Sequence, residues 1–552
     1  MDIPSLFMIP SAVSSGKVHS VFPNSTDADF DFNRDSDATR VNSEGLIERV
    51  GFYGAEKLSN NDFTNGLVGY SGTTNYSVVN NQLVANSSGL IYQGSILTNS
   101  TFYKFTIDIE SVTSGGIKAY ANGNQSAVIT TAGIHTLIIQ AGTSNTLAGL
   151  NPQGTFIGVI NSISFKEVLG DRARLNYEIE GGLVNTKPSL LLEPQSTNLV
   201  TYSEDFSQSY WAKNKLTVTP NAVISPTGEL NASLIQETSY TSSTNSIDLE
   251  NAISLSAGTY TLSFYVKNNK GRYLGISFGS SSERVRTNFD FNTNTFKTLN
   301  LSGTTTGSAS FTTLGDFYRI SVTATFPSTV PVKSTITPLA TDTYPFFALQ
   351  DSDNRSFYLW GVQWEELSYP TSYIPTNGST QTRAAETCNG AGTSSILPNE
   401  GILYFDFKDI GLTHPNQSSI SISGSNSNNR ILIYRGSGGA VWQLQIKAGG
   451  STILNTDLGL SGADSIANYN KVAVRYKSGS NRRYVNGTRI SANGSVETTT
   501  FTLSDDIQKI QFLPDASASS NQGYGKFRDI RVYNTKEMTD SEVDILLTKI
   551  TS

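Results

Sequence analysis

Short runs of alternating apolar and polar residues, bounded by turn-forming residues, recur along the whole chain. Residues 442–447 (WQLQIK) and 471–476 (KVAVRY) show this alternation clearly. A period of two places the apolar side chains on one face of a β-strand, so each run predicts a half-buried strand. Asn486-Gly487 between two such runs predicts a tight hairpin. The pattern therefore predicts many short strands joined by tight turns.

The composition agrees with an all-β chain. The 27 Phe and 25 Tyr favour strands and the 47 Gly favour turns, while charged residues make up only 15% of the 552 residues. At about 150 residues per domain, this length predicts three or four domains. We predict several β-sandwich modules in series, of jelly-roll or concanavalin-like type, and one short C-terminal helix. For that helix, Thr539 and Glu542 predict a capping box, and the apolar face consists of Val543, Leu546, Leu547 and Ile550.

Charge, cysteine content and hydropathy exclude several classes of protein. The net charge is −7 and no basic stripe is present, so nucleic-acid binding is not expected. The single cysteine, Cys388, cannot form an intrachain disulfide, and we expect a free thiol in a loop. Neither a signal peptide nor an apolar run of about 18 residues is visible, which argues against export and against membrane insertion. We therefore expect synthesis in a reducing cytoplasm.

Four strings, in fixed order, resemble a recurring class of structural proteins from tailed bacteriophages. They are residues 32–48 (FNRDSDATRVNSEGLIE), 174–177 (RLNY) with 188–199 (PSLLLEPQSTNL), 201–207 (TYSEDFS) with Tyr210-Trp211, and 369–376 (YPTSYIPT) with 382–385 (TRAA). Proteins of this class are fibre, appendage or adhesion components of the virion. The resemblance implies carbohydrate-binding-like jelly rolls and a concanavalin-like or laminin-G-like domain.

The strings and the strand pattern together divide the chain into six parts. About 120 residues separate the first two strings, which we interpret as a sandwich inserted into a base. The predicted parts are an N-terminal anchoring base (1–55), an inserted carbohydrate-binding-like β-sandwich (56–170), a second part of the base (171–198), a carbohydrate-binding-like jelly roll (199–370), a linker (371–398) and a concanavalin-like or laminin-G-like β-sandwich (399–552). The hairpin at Asn486 and the strand at 527–533 (FRDIRVY) carry the last resemblance.

The function that the resemblance implies is a virion fibre on the head or tail that binds host-surface glycans. We expect a homotrimer whose N-terminal region contacts other virion proteins, located in the virion after assembly in the host cytoplasm. A tail-associated polysaccharide depolymerase is the alternative, and a secreted bacterial lectin is a third hypothesis. We expect no enzyme, because the adjacent carboxylates Glu365 and Glu366 point to opposite faces of a strand and do not converge.

Aromatic and acidic residues provide the candidate binding sites. Sugars bind to aromatic faces flanked by polar groups, and the candidates are Trp211, Tyr358, Trp364 and Tyr524, with Tyr70 and Tyr76 as further exposed tyrosines. Strict alternation places Tyr358, Trp360, Val362 and Trp364 on one strand face. No cofactor is expected, except that the oxygen-rich segment with Asp351, Asp353 and Asn354 predicts a possible structural calcium site.

Overall fold

The protein is built almost entirely from antiparallel β-strands. The computed structural model describes residues 3–14, 16–34, 36–50, 52–169, 173–180, 182–238, 248–339, 354–411, 419–424, 426–436, 441–490, 497–504, 507–513 and 522–552. The described elements are 44 strands, two α-helices and one short 3-10 turn at Thr26–Ala28. The all-β fold class predicted from the sequence is therefore confirmed.

The strands are numbered in chain order. The first half of the chain contains β1 (Leu6–Met8), β2 (Val13–Ser14), β3 (Lys17–Val18), β4 (Phe30–Asn33), β5 (Ala38–Val41), β6 (Ile47–Val50), β7 (Phe52–Glu56), β8 (Tyr76–Val79), β9 (Gln82–Ser87), β10 (Ile91–Gly94), β11 (Phe102–Ala121), β12 (Asn124–Gln125), β13 (Gly133–Gln140), β14 (Leu147–Leu169), β15 (Arg174–Asn176), β16 (Ile179–Glu180), β17 (Leu183–Val184), β18 (Ser189–Leu192), β19 (Ser196–Asn198), β20 (Ala212–Asn214), β21 (Leu216–Ile224) and β22 (Leu230–Glu237). The second half contains β23 (Asp248–Leu255), β24 (Gly258–Lys270), β25 (Tyr273–Gly279), β26 (Arg284–Asp290), β27 (Thr295–Phe296), β28 (Asn300–Ser302), β29 (Thr306–Leu314), β30 (Phe317–Phe326), β31 (Val330–Leu339), β32 (Ser356–Glu365), β33 (Gln381–Arg383), β34 (Thr387–Gly392), β35 (Glu400–Lys408), β36 (Ser419–Ser423), β37 (Arg430–Arg435), β38 (Val441–Ala448), β39 (Ser451–Ser461), β40 (Asn470–Lys477), β41 (Arg482–Val485), β42 (Thr488–Arg489), β43 (Lys509–Gln511) and β44 (Gly525–Tyr533). The helices are α1 (Gly462–Ala467) and α2 (Asp540–Thr551).

The chain divides into two compact units. The smaller unit consists of Arg34–Ala38 and Arg49–Asp171, and the larger of Met1–Asn33, Thr39–Glu48 and Arg172–Ser552. Strands β7 to β14 of the smaller unit form one eight-stranded antiparallel sheet around its own apolar core. Its two longest strands, β11 and β14, shift register four times between Asp108 and Gly116, and such bulges bend a strand pair.

A two-sheet sandwich occupies the middle of the larger unit, and we call residues 199–370 the central sandwich. One sheet has the strand order β20-β23-β31-β25-β26-β27, with β28 on β26, and the other has the order β21-β22-β32-β24-β30-β29. Leu274 and Ile336 from the first sheet share one core with Leu262 and Val322 from the second. Alternation along each strand produces this arrangement, since every second side chain points to the partner sheet.

The C-terminal sandwich is completed by strands from the two segments that the sequence assigns to a separate base. One sheet has the order β15-β18-β44-β35-β40-β41-β42 with β1 on β44, and the other has the order β2-β3-β4-β34-β43-β36-β37-β38-β39. Leu6 lies opposite Val532, and Leu190 lies opposite Phe527. Strands β1 to β4, β15 and β18 of the base segments therefore belong to this sandwich, and apolar side chains of β1, β3, β4 and β18 are buried in its core.

Residues 371–398 contain strands, although the sequence pattern predicts a linker. The segment includes β33 and β34, and β34 pairs with β4 so that Cys388 lies opposite Phe32. Cys388 is fully buried in the core of the C-terminal sandwich, and burial raises the pKa of its thiol well above the ordinary value. The expectation of a thiol in a loop is wrong, since strand pairing places the side chain inside the core.

The local predictions near the C-terminus agree with the structure. Thr539 caps α2 and forms the capping box with Glu542, and Val543 and Leu547 are buried against the outer face of the sheet that contains β35. Asn486 and Gly487 have φ angles of 48° and 78°, the left-handed conformations that a tight two-residue hairpin between β41 and β42 requires.

Candidate functional site

Residues from the phage-like strings converge on one buried polar cluster, which we call the hub. Arg174 is fully buried, and its Nη1 lies 2.8 Å from an oxygen of Glu193 while its Nε donates to Glu386 at 2.7 Å. Arg383 lies 3.0 Å from the same oxygen of Glu193. Although burial raises the pKa of Glu193, the guanidinium groups of Arg383 and Arg174 hold it well below its ordinary value.

The hub continues through hydroxyl and amide groups of the other strings. Glu365, which the strand pattern excludes as a catalytic acid, is fully buried and accepts hydrogen bonds from Ser196 Oγ at 2.7 Å and the Thr371 backbone at 2.9 Å. Asn198 donates to the carbonyl of Ile374 at 2.9 Å. Because most of these side chains bind one another away from solvent, the hub is a structural cluster that holds the fold together.

Three of the four aromatic residues predicted to bind sugar are buried instead. Trp211 is 1% exposed and its indole N–H donates to the carbonyl of Tyr202 at 2.9 Å, while the Trp364 ring packs 5.1 Å from that of Phe278. Tyr524 is also buried, as are the further candidates Tyr70 and Tyr76. These predictions are wrong, because large rings complete the cores. Only Tyr358 is half-buried with an accessible ring.

A bulge at Gly361 explains why the alternation rule fails in β32. The residue has a φ of 63°, and the pairing with β24 shifts register between Ser263 and Tyr265. Trp360 therefore packs in a cluster with Tyr265, whereas Trp364 packs in the main core of the central sandwich. The four residues predicted to share one face lie on two faces, since one extra residue reverses the parity of a strand.

The predicted calcium segment falls largely outside the described residues. Asp351 and Asp353 are not described, and Asn354 is exposed with a φ of 50°. Among the described residues, no group of three or more His, Cys, Asp or Glu side chains is placed to hold a metal ion. The calcium site therefore stays a prediction.

An accessible aromatic surface lies at one edge of the central sandwich, and we call it the platform. Phe289 is buried at its centre, and four half-buried rings surround it at centroid distances of 5.1–5.4 Å: those of Phe291, Phe296, Phe311 and Tyr318. Phe289 and Phe296 come from β26 and β27 of one sheet, whereas Phe311 and Tyr318 come from β29 and β30 of the other. The platform therefore spans the edge where the two sheets meet.

Polar groups border the platform. The hydroxyl of Tyr318 donates to Asn294 Oδ1 at 2.7 Å, and Asn294 itself is exposed. Arg272 holds Asp290 in a bidentate ion pair, with Nη2 at 2.7 Å from Oδ2. Hydrogen bonding from Arg272 lowers the pKa of Asp290, which keeps this carboxylate ionised and fixed in place.

The combination of half-buried rings and fixed hydrogen-bonding groups is suited to a saccharide, whose C–H groups stack on aromatic faces while its hydroxyls bind polar side chains. The site is absent from the sequence-based predictions, although a signal for it is present. Residues 289–296 (FDFNTNTF) place three Phe around a short turn. A period of two puts Phe289 and Phe291 on one face, and the turn brings Phe296 back beside them.

Comparison with known proteins gives no family. No family model and no curated protein matches the sequence. Among solved structures, the CBM40 module of Ruminococcus gnavus IT-sialidase bound to alpha2,3 sialyllactose is 16% identical, with 29% of this chain and 87% of that chain covered and a TM-score of 0.22. The tandem CBM22 domains of Paenibacillus barcinonensis Xyn10C are 11% identical, with 57% and 98% covered and a TM-score of 0.24.

A third solved structure is Trypanosoma rangeli sialidase in complex with the inhibitor DANA, which is 9% identical, with 94% and 98% covered and a TM-score of 0.20. At these TM-scores the likenesses identify neither a ligand of this chain nor a place for it in a virion. Separately, none of the helices in the described ranges is long and apolar enough to span a membrane.

Proposed function

We propose that the protein is a non-catalytic glycan-binding component of a tailed-phage virion, with the saccharide site on the platform. The observation that carries the binding half of this proposal is the set of four half-buried rings around Phe289, bordered by Asn294 and by the fixed Arg272–Asp290 pair. Accessible rings beside fixed polar groups are unusual on a surface that has no ligand.

Replacing one platform ring tests the binding site. We expect Phe311→Ala to weaken binding to a neutral oligosaccharide, identified on a glycan array and titrated by calorimetry, about tenfold, because a stacked ring contributes about 1–1.5 kcal/mol. Tyr358→Ala in the same sandwich is the matched control and should bind normally. If Tyr358→Ala binds the oligosaccharide more weakly and Phe311→Ala binds it normally, the saccharide site lies on β32 and not on the platform. Unchanged tryptophan fluorescence, to which the buried Trp211, Trp360 and Trp364 of this sandwich contribute, would show that the sandwich is still folded.

The virion half of the proposal rests on the four phage-like strings. Their residues form much of the hub, with Arg174, Glu193, Tyr373 and Arg383 all buried. We infer that these strings mark a shared way of joining sandwich modules in appendage proteins. A symmetric homotrimer and attachment to another virion protein through the N-terminal region belong to this proposal. Many copies on one particle would make weak saccharide sites useful through avidity.

Deleting the gene from the phage tests the virion assignment. We expect particles purified from the deletion strain to lack one appendage in electron micrographs, and mass spectrometry of wild-type particles to detect the protein. Particles that are identical with and without the gene, and that contain none of this chain, would contradict the assignment. The result does not depend on which glycan is bound, so this experiment separates the virion proposal from the binding proposal.

A further inference from the structure

A second concave surface lies within the larger unit, and we call it the cleft. Its volume is about 400 Å³, which falls in the range of ligand sites in proteins. Thr312, Leu314 and Arg319 of the central sandwich line one side, and Lys408 and Lys526 of the C-terminal sandwich line another. The cleft is distinct from the platform, because the rings of the platform do not line it.

All carboxylates that line the cleft are neutralised by a basic side chain. Glu178 lies 2.6 Å from Lys526, and Asp409 lies 2.7 Å from Arg435. Glu193 is held in the hub, and Glu180 lies 3.4 Å from Arg528. No lining carboxylate therefore carries an uncompensated negative charge that would repel an anion.

Two basic side chains in the cleft differ from the rest, because among the described residues neither forms a salt bridge; Glu178 and Glu180 act on Lys408 only from a longer distance. Arg319 Nη2 donates to the carbonyl of Thr371 at 2.6 Å and to Ser263 Oγ at 3.1 Å, so the guanidinium is held in place by neutral groups. Lys408 is half-buried, and burial lowers the pKa of its ammonium group. A half-buried cation without a salt-bridge partner is costly, and an anion bound at hydrogen-bond distance reduces that cost.

We infer that the cleft binds the anionic groups of an acidic oligosaccharide, with Lys408 and Arg319 as the charge partners. The saccharide class rests on the proposed function, whereas the charge comes from the cleft itself. Hydroxyl groups of Thr312 and Thr313 line the same surface and can bind sugar hydroxyls. The protein then has two sites, an aromatic one for sugar faces and a cationic one for acidic substituents.

Matched ligands test this inference on the full-length protein. The probes are trigalacturonic acid, its trimethyl ester, and a sulfated galactose trisaccharide, each titrated by calorimetry at low and at high salt. We expect at least one anionic probe to bind about tenfold more tightly than the uncharged ester, and the difference to shrink at high salt. The anionic probe that binds with the higher affinity shows whether the cleft prefers a carboxylate or a sulfate group. Equal affinity for all three probes would overturn the inference.

Variants test whether the preference for an anionic ligand comes from the cleft. Lys408→Gln should lower the affinity for the anionic probe about fivefold to tenfold and leave the ester unaffected, whereas Lys536→Gln, at an exposed position outside the cleft, should change neither. Phe311→Ala should keep the preference for the anion. If the wild-type protein prefers the anionic probe but binds no neutral glycan, the platform proposal is wrong and the cleft inference is supported. If Lys408→Gln keeps the full preference, the cleft assignment is wrong. Continued burial of Cys388 shows that the C-terminal sandwich of the lysine variants is folded, and unchanged tryptophan fluorescence does so for the central sandwich of Phe311→Ala.

Discussion

Arg174→Met is expected to lower the free energy of unfolding of the C-terminal sandwich by about 3–5 kcal/mol. Arg174 is fully buried and binds Glu193 and Glu386, and it also donates to the backbone carbonyl of Thr39 at 3.0 Å. Its removal takes one guanidinium away from two buried carboxylates, those of Glu193 and Glu386, and breaking a buried ion pair by removing one partner carries a penalty of this size. Methionine keeps most of the aliphatic part of the side chain and lacks the guanidinium, so the loss reports mainly on charge and hydrogen bonding.

Cys388 provides the measurement. The chain has a single thiol, and it is buried in the same core, so pulse-labelling after equilibration in urea follows the unfolding of this sandwich within the full-length protein. Arg489→Met is the matched control: its ion pair with Glu497, 2.9 Å long, is half-exposed and should contribute less than about 1 kcal/mol. Adding Glu386→Gln to Arg174→Met should restore part of the stability. An equal loss of unfolding free energy in Arg174→Met and Arg489→Met would refute the structural role of the hub.

Local signals in the sequence identify individual strands and turns but not their partners. The alternation in 442–447 predicts β38, and Asn486-Gly487 predicts the β41–β42 hairpin, since both depend on neighbours in sequence. The pairing of β1 with β44 joins residues more than 500 positions apart, and no local pattern encodes it. For the same reason the sequence pattern assigns residues 1–55 to a base and 371–398 to a linker, although both contribute strands to the C-terminal sandwich.

The candidate site shows the same limit. Aromatic residues are recognisable in the sequence, but their exposure depends on tertiary packing. Trp211 and Trp364 look like sugar-binding residues and are core residues. Phe311 and Tyr318 are half-buried because β29 is the edge strand of its sheet and β30 lies next to it. A single bulge at Gly361 also reverses the predicted face of part of β32. The phage-like strings mark the hub correctly as an important region, yet their role is structural.

Two carboxylates lie side by side on the outer face of the C-terminal sandwich. Asp406 of β35 is the direct cross-strand partner of Asp529 of β44, and like charges in this position destabilise a sheet. Asp529 accepts a hydrogen bond from Arg531 Nε at 2.9 Å, whereas Asp406 Oδ1 is buried and has no hydrogen-bond partner among the described residues. Burial raises the pKa of Asp406 to about 6, with Asp529 adding to the effect and Arg528 and Lys471 opposing it.

This pair predicts that the C-terminal sandwich loses stability as the pH rises. The pKa of Asp406 is higher in the folded protein than its ordinary value of 3.8, so the folded state binds the proton more tightly. Below about pH 4 the group is protonated in both the folded and the unfolded state, so it costs no stability. As the pH rises from about 4 through about 6, the unfolded state ionises more readily than the folded state, and the folded protein loses stability. This difference between the folded and the ordinary pKa corresponds to a loss of roughly 2 kcal/mol of stability for a partly exposed group.

Asp406→Asn, which mimics the protonated acid, should therefore stabilise the C-terminal sandwich by about 2 kcal/mol at pH 8 and have little effect at pH 4. Urea unfolding followed by labelling of Cys388, with a labelling pulse at one fixed pH, measures both values. Asp31→Asn removes a carboxylate that is 71% exposed from the same sandwich and should change stability by less than about 1 kcal/mol at either pH. A loss of stability at pH 8, or an equal gain at both pH values, would show that Asp406 is not held in an unfavourable charged state. A gain confined to high pH would instead show that a cross-strand carboxylate pair is kept in this sheet at a cost to stability.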